Sequence, residues 1–226
     1  MKRKTILTIL LFLALFSPSI IMASDIYLTF DDGPCKNTAY ILNILKNENI
    51  KATFFITGKG SDYLIKKEYD EGHSIGLHTY SHNYKYIYSS TTNFFNDLNI
   101  LNDRLFSITQ TKSNIIRFPG GSSNTISKRY KRKIMSELVY LINGNYKYYD
   151  WNIDSKDTSG ISNCNKVYKN VVENLRKDRI NMVLMHDSKT CTRKVLRKII
   201  IYGKKKGYHF KKITNKTKMI IQKINN

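Results

Sequence analysis

The chain has 226 residues, a length that suits a single α/β domain. Its 38 Lys and Arg residues outnumber 17 Asp and Glu residues, which gives a formal net charge of +21 and predicts attraction to polyanions. No nucleic-acid-binding module is visible in the sequence, so nucleic acid is not the expected partner, and an anionic cell wall is expected instead.

The first 23 residues have the pattern of a signal peptide. Basic residues at positions 2–4 precede an apolar run at positions 6–16, and Ala23 is a small residue before a possible cleavage site. Cleavage there would leave 226 − 23 = 203 residues in an exported protein, either secreted or associated with the cell wall or membrane. The alternative is an uncleaved anchor over residues 5–23, which Pro18 disfavours; only this alternative predicts a membrane partner.

Between residues 25 and 213, short apolar strands are predicted to alternate with amphipathic helices. The strands are expected at residues 25–30, 51–57, 73–77, 115–118, 146–153, 182–185 and 207–213. The helices are expected at residues 38–48, 61–71, 91–108, 126–142, 165–177 and 192–206. Parallel strands need helix-length connections, so this order predicts one α/β domain of about seven parallel strands. Periodicity leaves open whether the sheet closes into a barrel, and residues 214–226 are expected to form a basic tail on the surface.

Two carboxylates end the first predicted strand, and two histidines follow the third. Asp31 and Asp32 precede a Gly-Pro turn, and the i, i+4 spacing of His78 and His82 puts both imidazoles on one face of a helix or turn. One carboxylate and two histidines make a three-ligand metal site that leaves positions open for water. The second carboxylate would be a base beside that water, so the set indicates a metal-assisted hydrolase. An Asp-Asp-Gly sequence alone is typical of a turn; the joint occurrence favours catalysis.

Ionisable residues also follow three later strands. Arg117, Asp154 with Asp157, and His186 each lie at the carboxyl end of a predicted strand. Ligands of parallel sheets bind at that end, so these side chains are expected to meet the acidic and histidine pairs at one edge. Taken alone, Arg117 would be expected on the surface and Asp157 would be expected to cap a turn.

Five segments, in this order, resemble the motifs of the polysaccharide deacetylase family, the NodB-homology domain of carbohydrate esterase family 4. They are residues 29–34 (Thr-Phe-Asp-Asp-Gly-Pro), His78 with His82, residues 117–121 (Arg-Phe-Pro-Gly-Gly), residues 151–157, and residues 184–186 (Leu-Met-His). The resemblance covers residues 25–213 and implies a distorted (β/α)7 barrel. It also implies an enzyme that hydrolyses carbon–nitrogen bonds other than peptide bonds in a polysaccharide.

The resemblance implies a role for each reacting group. Asp32, His78 and His82 would hold a divalent metal, usually zinc, with cobalt or another transition metal as an alternative. Asp31 would be the general base that takes a proton from metal-activated water, and His186 would be the general acid that protonates the departing amine.

Four further positions would support those groups. Arg117 would hold the base in position, and Asp157 would orient the acid and tune its pKa. Leu184 would line the pocket for the acetyl methyl group, and the backbone at Gly120 would help to hold the developing oxyanion.

Two positions depart from the family pattern. Thr158 stands where the family usually has Trp, so an apolar wall beside His186 is expected to be absent. Gly120 stands where many relatives carry an aromatic residue. Neither departure affects a metal ligand or the base, so an active enzyme is expected.

The three cysteines allow at most one internal disulfide. Cys164 and Cys191 follow the fifth and sixth predicted strands, and a bridge between them is expected if their Cα atoms lie about 4.4–6.8 Å apart. That bridge would fasten the loops of Asp157 and His186, and Cys35 would remain a free thiol.

The leading hypothesis is therefore an exported, metal-dependent N-deacetylase of N-acetylated polysaccharide. Peptidoglycan is the first substrate expected, and chitin-type oligomers are the second. The alternatives are an O-acetyl esterase of the xylan type and a catalytically silent wall-binding protein. A non-haem iron oxygenase shares the ligand set but would have no use for Asp31 and His186.

Overall fold

The computed structural model describes residues 24–160 and 163–226, so the predicted signal peptide lies outside the described residues. Within these ranges, eight strands form one sheet in which every pairing is parallel. The strands are β1 (Asp25–Gly33), β2 (Thr53–Ile56), β3 (Ser74–Leu77), β4 (Ile115–Ile116), β5 (Lys147–Tyr148), β6 (Ile153–Asp154), β7 (Asn181–His186) and β8 (His209–Lys211).

Seven α-helices of the described ranges connect these strands. They are α1 (Lys36–Asn47), α2 (Asp62–Asp70), α3 (Tyr84–Ile87), α4 (Thr91–Thr109), α5 (Ile134–Ile142), α6 (Cys164–Val172) and α7 (Thr190–Lys205). Among the helices described, none combines the length and the apolar character needed to cross a membrane.

The strand order is β5-β4-β3-β2-β1-β7-β6, and β8 pairs with the first residues of β1. The sheet curls into a half-barrel, which confirms the expected distorted (β/α)7 barrel in a single domain. The central strand is β1, which has β2 on one side and β7 on the other. Asp31 is therefore level with Phe55 in β2 and with His186 in β7.

The side chains of β1 alternate between the two faces of the sheet. Those that pack in the large core against the helices are Ile26, Leu28 and Phe30. Tyr27 packs on the other face, in a smaller core that includes Phe55. Thr29 and Asp31 share that inner face because they lie two and four residues after Tyr27. This alternation directs the carboxylate of Asp31 into the interior of the curl.

The expected single strand at residues 146–153 is wrong, because the structure has the two short strands β5 and β6 there. The carbonyl oxygens of Tyr149 and Asp150, between them, accept hydrogen bonds from the Arg117 guanidinium at 2.7 and 3.1 Å. Carbonyl oxygens that accept hydrogen bonds from a buried side chain are not available to pair with a neighbouring strand. The split raises the number of strands from seven to eight.

The expected helix over residues 126–142 is also interrupted. A 3₁₀ turn (Ile126–Arg129) precedes α5, and Lys133 between them has φ +62°. An L-residue in this left-handed conformation cannot continue a right-handed helix. The next expected helix ends at Val172 rather than at residue 177, and α3 was not expected.

The C-terminal segment 214–226 is attached to the body of the protein. The Asp150 N–H donates to the Ile220 carbonyl at 2.8 Å, and the Gln222 N–H donates to Asp150 Oδ2 at 2.9 Å. The side chain of Gln222 also donates to the Trp151 carbonyl at 2.9 Å. The segment therefore lies along the connection between β5 and β6.

The expected disulfide between Cys164 and Cys191 is confirmed, with a Cα–Cα distance of 4.9 Å. It joins the first turn of α6 to the first turn of α7. Cys35 is a free thiol, as expected.

Candidate active site

The two adjacent carboxylates at the end of β1 point to different partners. Asp31 is 2% exposed and faces the inner side of the sheet. Asp32 has φ +71°, a left-handed conformation that Asp tolerates better than most residues. This change of backbone direction separates the two side chains, so Asp31 meets Arg117 while Asp32 meets the histidines.

His78 and His82 lie in a turn after β3, with their ring centroids 5.1 Å apart. The turn is possible because Thr79 and His82 have φ values of +67° and +50°. His78 Nδ1 donates to the Arg117 carbonyl oxygen at 2.8 Å, and this bond leaves its Nε2 lone pair directed at Asp32.

Three atoms converge here from the predicted metal ligands. Asp32 Oδ1 lies 3.6 Å from His78 Nε2 and 3.3 Å from His82 Nε2. One ligand atom of each residue lies within 4.8 Å of the others, and no other such group of His, Cys, Asp and Glu occurs in the described part of the chain.

These residues fit a divalent metal. Asp32 Oδ1 is buried and has no hydrogen-bond partner among the described residues, so a cation would satisfy an otherwise costly acceptor. Burial and the neighbouring His78 lower the pKa of His82 to about 4, which keeps its imidazole neutral and able to coordinate. Burial raises the pKa of Asp32, but His78 and His82, together with His186 and Lys189, outweigh it and the net shift is downward.

Arg117 is 1% exposed, contrary to what this residue taken alone would suggest. Its Nη1 donates to Asp31 Oδ1 at 2.8 Å and to Thr29 Oγ1 at 2.7 Å. The guanidinium also lies over the Phe55 ring, 4.1 Å from its centroid. Together with the bonds to the connection between β5 and β6, these contacts fix the guanidinium. Asp31 thus has a charge-assisted hydrogen bond to a partner that cannot move away.

His186 and Asp157 form the second ion pair of the site. His186 Nδ1 donates to Asp157 Oδ1 at 2.8 Å, and the His186 backbone N–H donates to Asp157 Oδ2 at 2.7 Å. Burial lowers the pKa of His186, but the hydrogen bond to Asp157 and the charges of Asp31 and Asp32 outweigh it and raise the pKa to about 9. His186 is therefore protonated at neutral pH, with Nε2 as the available donor.

The remaining predicted residues lie at the same edge, with one exception. Leu184 lies two residues before His186 on β7, so both side chains face the inner side of the sheet. Gly120 has φ +78° and is exposed. Asp154 is exposed and accepts a hydrogen bond from the Lys156 N–H in a local turn, so it does not join the site. Thr158 is exposed as well and supplies no wall to His186.

Two neighbours of the site, Tyr84 and Thr192, were not found from the sequence, and a third, Thr29, stood in a quoted motif without a role. Thr29 shares a face with Asp31, and the period of two in a strand would have indicated it. The Tyr84 ring meets the His82 ring edge to face at 5.5 Å, and the position where a Gly120 Cβ would stand is 3.1 Å from its hydroxyl. Thr192, in the first turn of α7, donates from its hydroxyl to Asp157 Oδ2, and no sequence signal pointed to it.

Comparisons with known proteins identify the family of this chain. The sequence pattern of the family described as polysaccharide deacetylase matches residues 22–139. YheN of Bacillus subtilis (strain 168) is 32% identical over 82% of this chain and 65% of its own length. A peptidoglycan-N-acetylglucosamine deacetylase of Bacillus cereus is 32% identical over 81% of this chain and 67% of its own. The chain thus spans about two thirds of these two curated relatives, and slightly less than that of YheN.

A solved structure is similar over nearly the whole described chain. It is the catalytic domain of a peptidoglycan N-acetylglucosamine deacetylase from Eubacterium rectale ATCC 33656. It superposes with a TM-score of 0.87 at 39% identity, and covers 90% of this chain and 94% of that one.

Proposed function

Because the chain belongs to the polysaccharide deacetylase family, we propose that it is an exported, metal-dependent polysaccharide N-deacetylase. It would hydrolyse acetamido groups of an N-acetylated glycan to acetate and free amine. One observation carries this proposal: Asp31 and His186, each held by its own ion partner, are level with each other in neighbouring strands beside the metal-ligating cluster.

Asp32, His78 and His82 would hold the divalent ion, and zinc is the first candidate because two histidines and one carboxylate are a common catalytic zinc set. The chemistry that such an ion supplies when bound is Lewis acidity, which polarises a carbonyl oxygen and lowers the pKa of water to about 7. The hydrogen bond from His78 Nδ1 to the Arg117 carbonyl would orient this ligand and keep its tautomer.

Asp31 would act as the general base. Its Oδ1 accepts from Arg117, while Oδ2 lies 3.7 Å from His78 Nε2 and faces the cluster. Arg117 gives this carboxylate a fixed, positively charged hydrogen-bond partner and stops it from rotating away. Oδ2 is therefore the atom that would take a proton from the attacking water.

His186 would act as the general acid. An amine is a poor leaving group unless it is protonated, so the C–N bond breaks only if a proton reaches the nitrogen. His186 holds such a proton on Nε2 up to a pH of about 9, because Nδ1 is bonded to Asp157. After transfer, the products would be acetate and the free amino sugar.

The backbone at Gly120 would help to stabilise the oxyanion of the tetrahedral intermediate. Its N–H donates no hydrogen bond to any described residue, and its exposure allows substrate to approach. Leu184 would contact the acetyl methyl group, since it faces the same side as His186 and belongs to neither hydrophobic cluster of the described residues.

Peptidoglycan is the substrate that we propose first, and chitin-type oligomers are second. Two relatives named as peptidoglycan N-acetylglucosamine deacetylases support this order. Lys59 and Lys189 also support it, because they lie after β2 and β7, the two neighbours of β1, and neither forms an ion pair with a described residue. Peptidoglycan carries carboxylates that two such amines would attract, whereas chitin is neutral.

Acetate release from defined glycans tests the activity. We expect release from peptidoglycan or N-acetylglucosamine oligomers by the wild-type protein with zinc or cobalt, and at least 100-fold less by Asp31→Asn. Release from acetylated xylan alone would instead favour the O-acetyl esterase. A protein that releases no acetate but pellets with cell walls would be a wall-binding protein, which contradicts the proposal.

Substrate charge is tested with Lys59→Gln/Lys189→Gln. For carboxylate-bearing peptidoglycan fragments, we expect the KM of this variant to be about 5–10-fold higher than that of the wild type. For neutral N-acetylglucosamine oligomers, its KM should stay within about twofold of the wild type, because only the charged fragments are attracted by the two lysines. The matched control changes two exposed lysines farther along α7, as Lys194→Gln/Lys198→Gln. Equal changes on both substrates would contradict a role in charge selection.

A further inference from the structure

The carboxylate of Asp157 receives hydrogen bonds on both oxygens. Two of them come from His186 itself, the residue that Asp157 must orient. The third comes from the Thr192 hydroxyl, which donates to Oδ2. Thr192 is 0% exposed. Among the residues that the structure describes, it is the one donor to this carboxylate that lies in a helix.

The loop that carries Asp157 also has a hydrogen bond from a second helix. The Asp157 N–H donates to Ser155 Oγ at 3.4 Å, and the Ser155 carbonyl accepts from Asn170 Nδ2 at 3.0 Å. Asn170 belongs to α6, whereas Thr192 belongs to α7. Two helices therefore contact this loop, α6 at Ser155 and α7 at the Asp157 carboxylate.

The disulfide joins the first turns of these two helices. Cys191 is the residue before Thr192, and its partner Cys164 begins α6. The covalent link thus closes a ring that runs from α6 through the loop to α7. Its effect is to limit how far the Thr192 hydroxyl can move from Asp157.

We propose that Thr192 is a positioning residue for the general acid His186, and that the Cys164–Cys191 disulfide keeps it in place. This inference depends on the proposed function for its effect on rate. With the Thr192 bond, Asp157 has one orientation, which directs His186 Nε2 toward the departing amine. Without it, the carboxylate keeps only its two bonds to His186, so the Asp157–His186 pair loses its anchor on α7 and can move together.

The first test compares three variants of the full chain. We expect Thr192→Val, which keeps the shape and removes the donor, to lower kcat about 10-fold while KM stays within about twofold. Thr192→Ser keeps the hydroxyl and should restore kcat to within about twofold of the wild type. Thr190→Val, at the exposed first residue of α7, is the matched control and should behave like the wild type.

A measurement that does not depend on turnover accompanies the kinetics. In the ¹⁵N-histidine NMR spectrum, we expect Thr192→Val to shift the pKa of His186 and to speed exchange of its Nδ1 proton, whereas Thr192→Ser leaves both unchanged. If the wild type releases no acetate, the proposed function fails while this measurement still tests Thr192. Valine and serine variants with equal kcat, or an unchanged His186 signal in Thr192→Val, would overturn the inference.

The disulfide is tested with Cys164→Ser/Cys191→Ser. We expect the kcat of this variant to be about 3–10-fold lower than that of the wild type. The reductant TCEP should lower the kcat of the wild type to the same level and should not change the kcat of the variant. Adding Thr192→Val to the disulfide-free variant should then cost less than 10-fold, because the two changes act on one arrangement. Full activity of the disulfide-free variant, or additive losses, would overturn the role of the bridge.

Discussion

At the scale of single residues, two adjacent carboxylates have different environments because one backbone angle differs. The left-handed φ of Asp32 turns its side chain toward the histidines, while Asp31 keeps the strand direction and meets Arg117. Each carboxylate then has positive or neutral neighbours rather than the other carboxylate. The sequence predicted both residues at the site, but the pattern of a strand does not predict the left-handed φ of Asp32.

The unpartnered oxygen of Asp32 predicts a specific response to metal. At 100 times its Kd, zinc should stabilise the wild type by about 2.7 kcal/mol and raise its melting temperature by about 5–10 °C. Asp32→Ala should abolish this shift and the release of acetate, because a ligand and its charge are lost. Differential scanning calorimetry with and without zinc measures the shift.

Asp154→Ala is the matched control for that experiment. Asp154 is an exposed carboxylate at the end of β6 whose side chain, among the described residues, forms one hydrogen bond in a local turn, so its loss should leave the zinc shift intact. A zinc shift that persisted in Asp32→Ala would contradict the assignment of the ligands.

The raised pKa of His186 predicts the basic limit of activity. The acid must be protonated, so kcat/KM should be retained below a pH of about 9 and fall as the pH rises through that value. Asp157→Asn removes the negative charge that raises the pKa, and the limit should move down by about 1–2 units toward the ordinary value near 6.5. The pH profile of acetate release measures both limits, and an unmoved limit in Asp157→Asn would assign it to another group.

At the scale of elements, strand ends determine which side chains meet. The carboxyl ends of β1, β3, β4 and β7 converge, as expected for a parallel sheet, and bring the proposed base, the proposed metal ligands, Arg117 and His186 to one edge. The connection between β5 and β6 was mistaken for strand because its Tyr-rich sequence favours strand. Its carbonyls instead bind a guanidinium from β4's end, a long-range contact that local propensity does not reveal.

The C-terminal segment should support this connection. Deleting residues 218–226 removes the two backbone partners of Asp150, a fully buried carboxylate, and should cost about 2–4 kcal/mol of unfolding free energy. Because the same connection binds Arg117, kcat should fall as well. Urea denaturation and acetate release measure the two effects.

Gln222→Ala is the control for the deletion. It keeps the backbone bond to Asp150 and removes only the side-chain bonds to Trp151 and Ser123, so a loss of about 0.5–1.5 kcal/mol is expected. A deletion no more destabilising than this substitution would mean that the segment does not support the fold.

At the scale of the whole molecule, the net charge and the disulfide bear on the proposed export and wall association. Cleavage after Ala23, as proposed, would remove three positive charges and leave 21 − 3 = +18. Disulfides persist in oxidising compartments, so the Cys164–Cys191 bridge supports export.

Attraction between this charge and an anionic wall should depend on salt. We expect the purified protein to pellet with cell walls at low ionic strength and to be released by about 0.5–1 M NaCl, where the Debye length falls to 3–4 Å. Walls stripped of their anionic polymers should retain less protein. Retention that salt does not change would indicate a non-ionic interaction.

The sequence by itself determined the alternation of strands and helices, the family, and the residues proposed to react. These depend on local periodicity and on motifs that stay adjacent along the chain, from Asp31 with Asp32 to Leu184 with His186. Only the tertiary structure decided that Tyr149 and Asp150 bind Arg117, that Asp154 stays outside the site, and that Thr192 supports Asp157. Each of these depends on contacts between residues far apart in the chain, and the strength of such contacts comes from burial and geometry that a linear pattern does not contain.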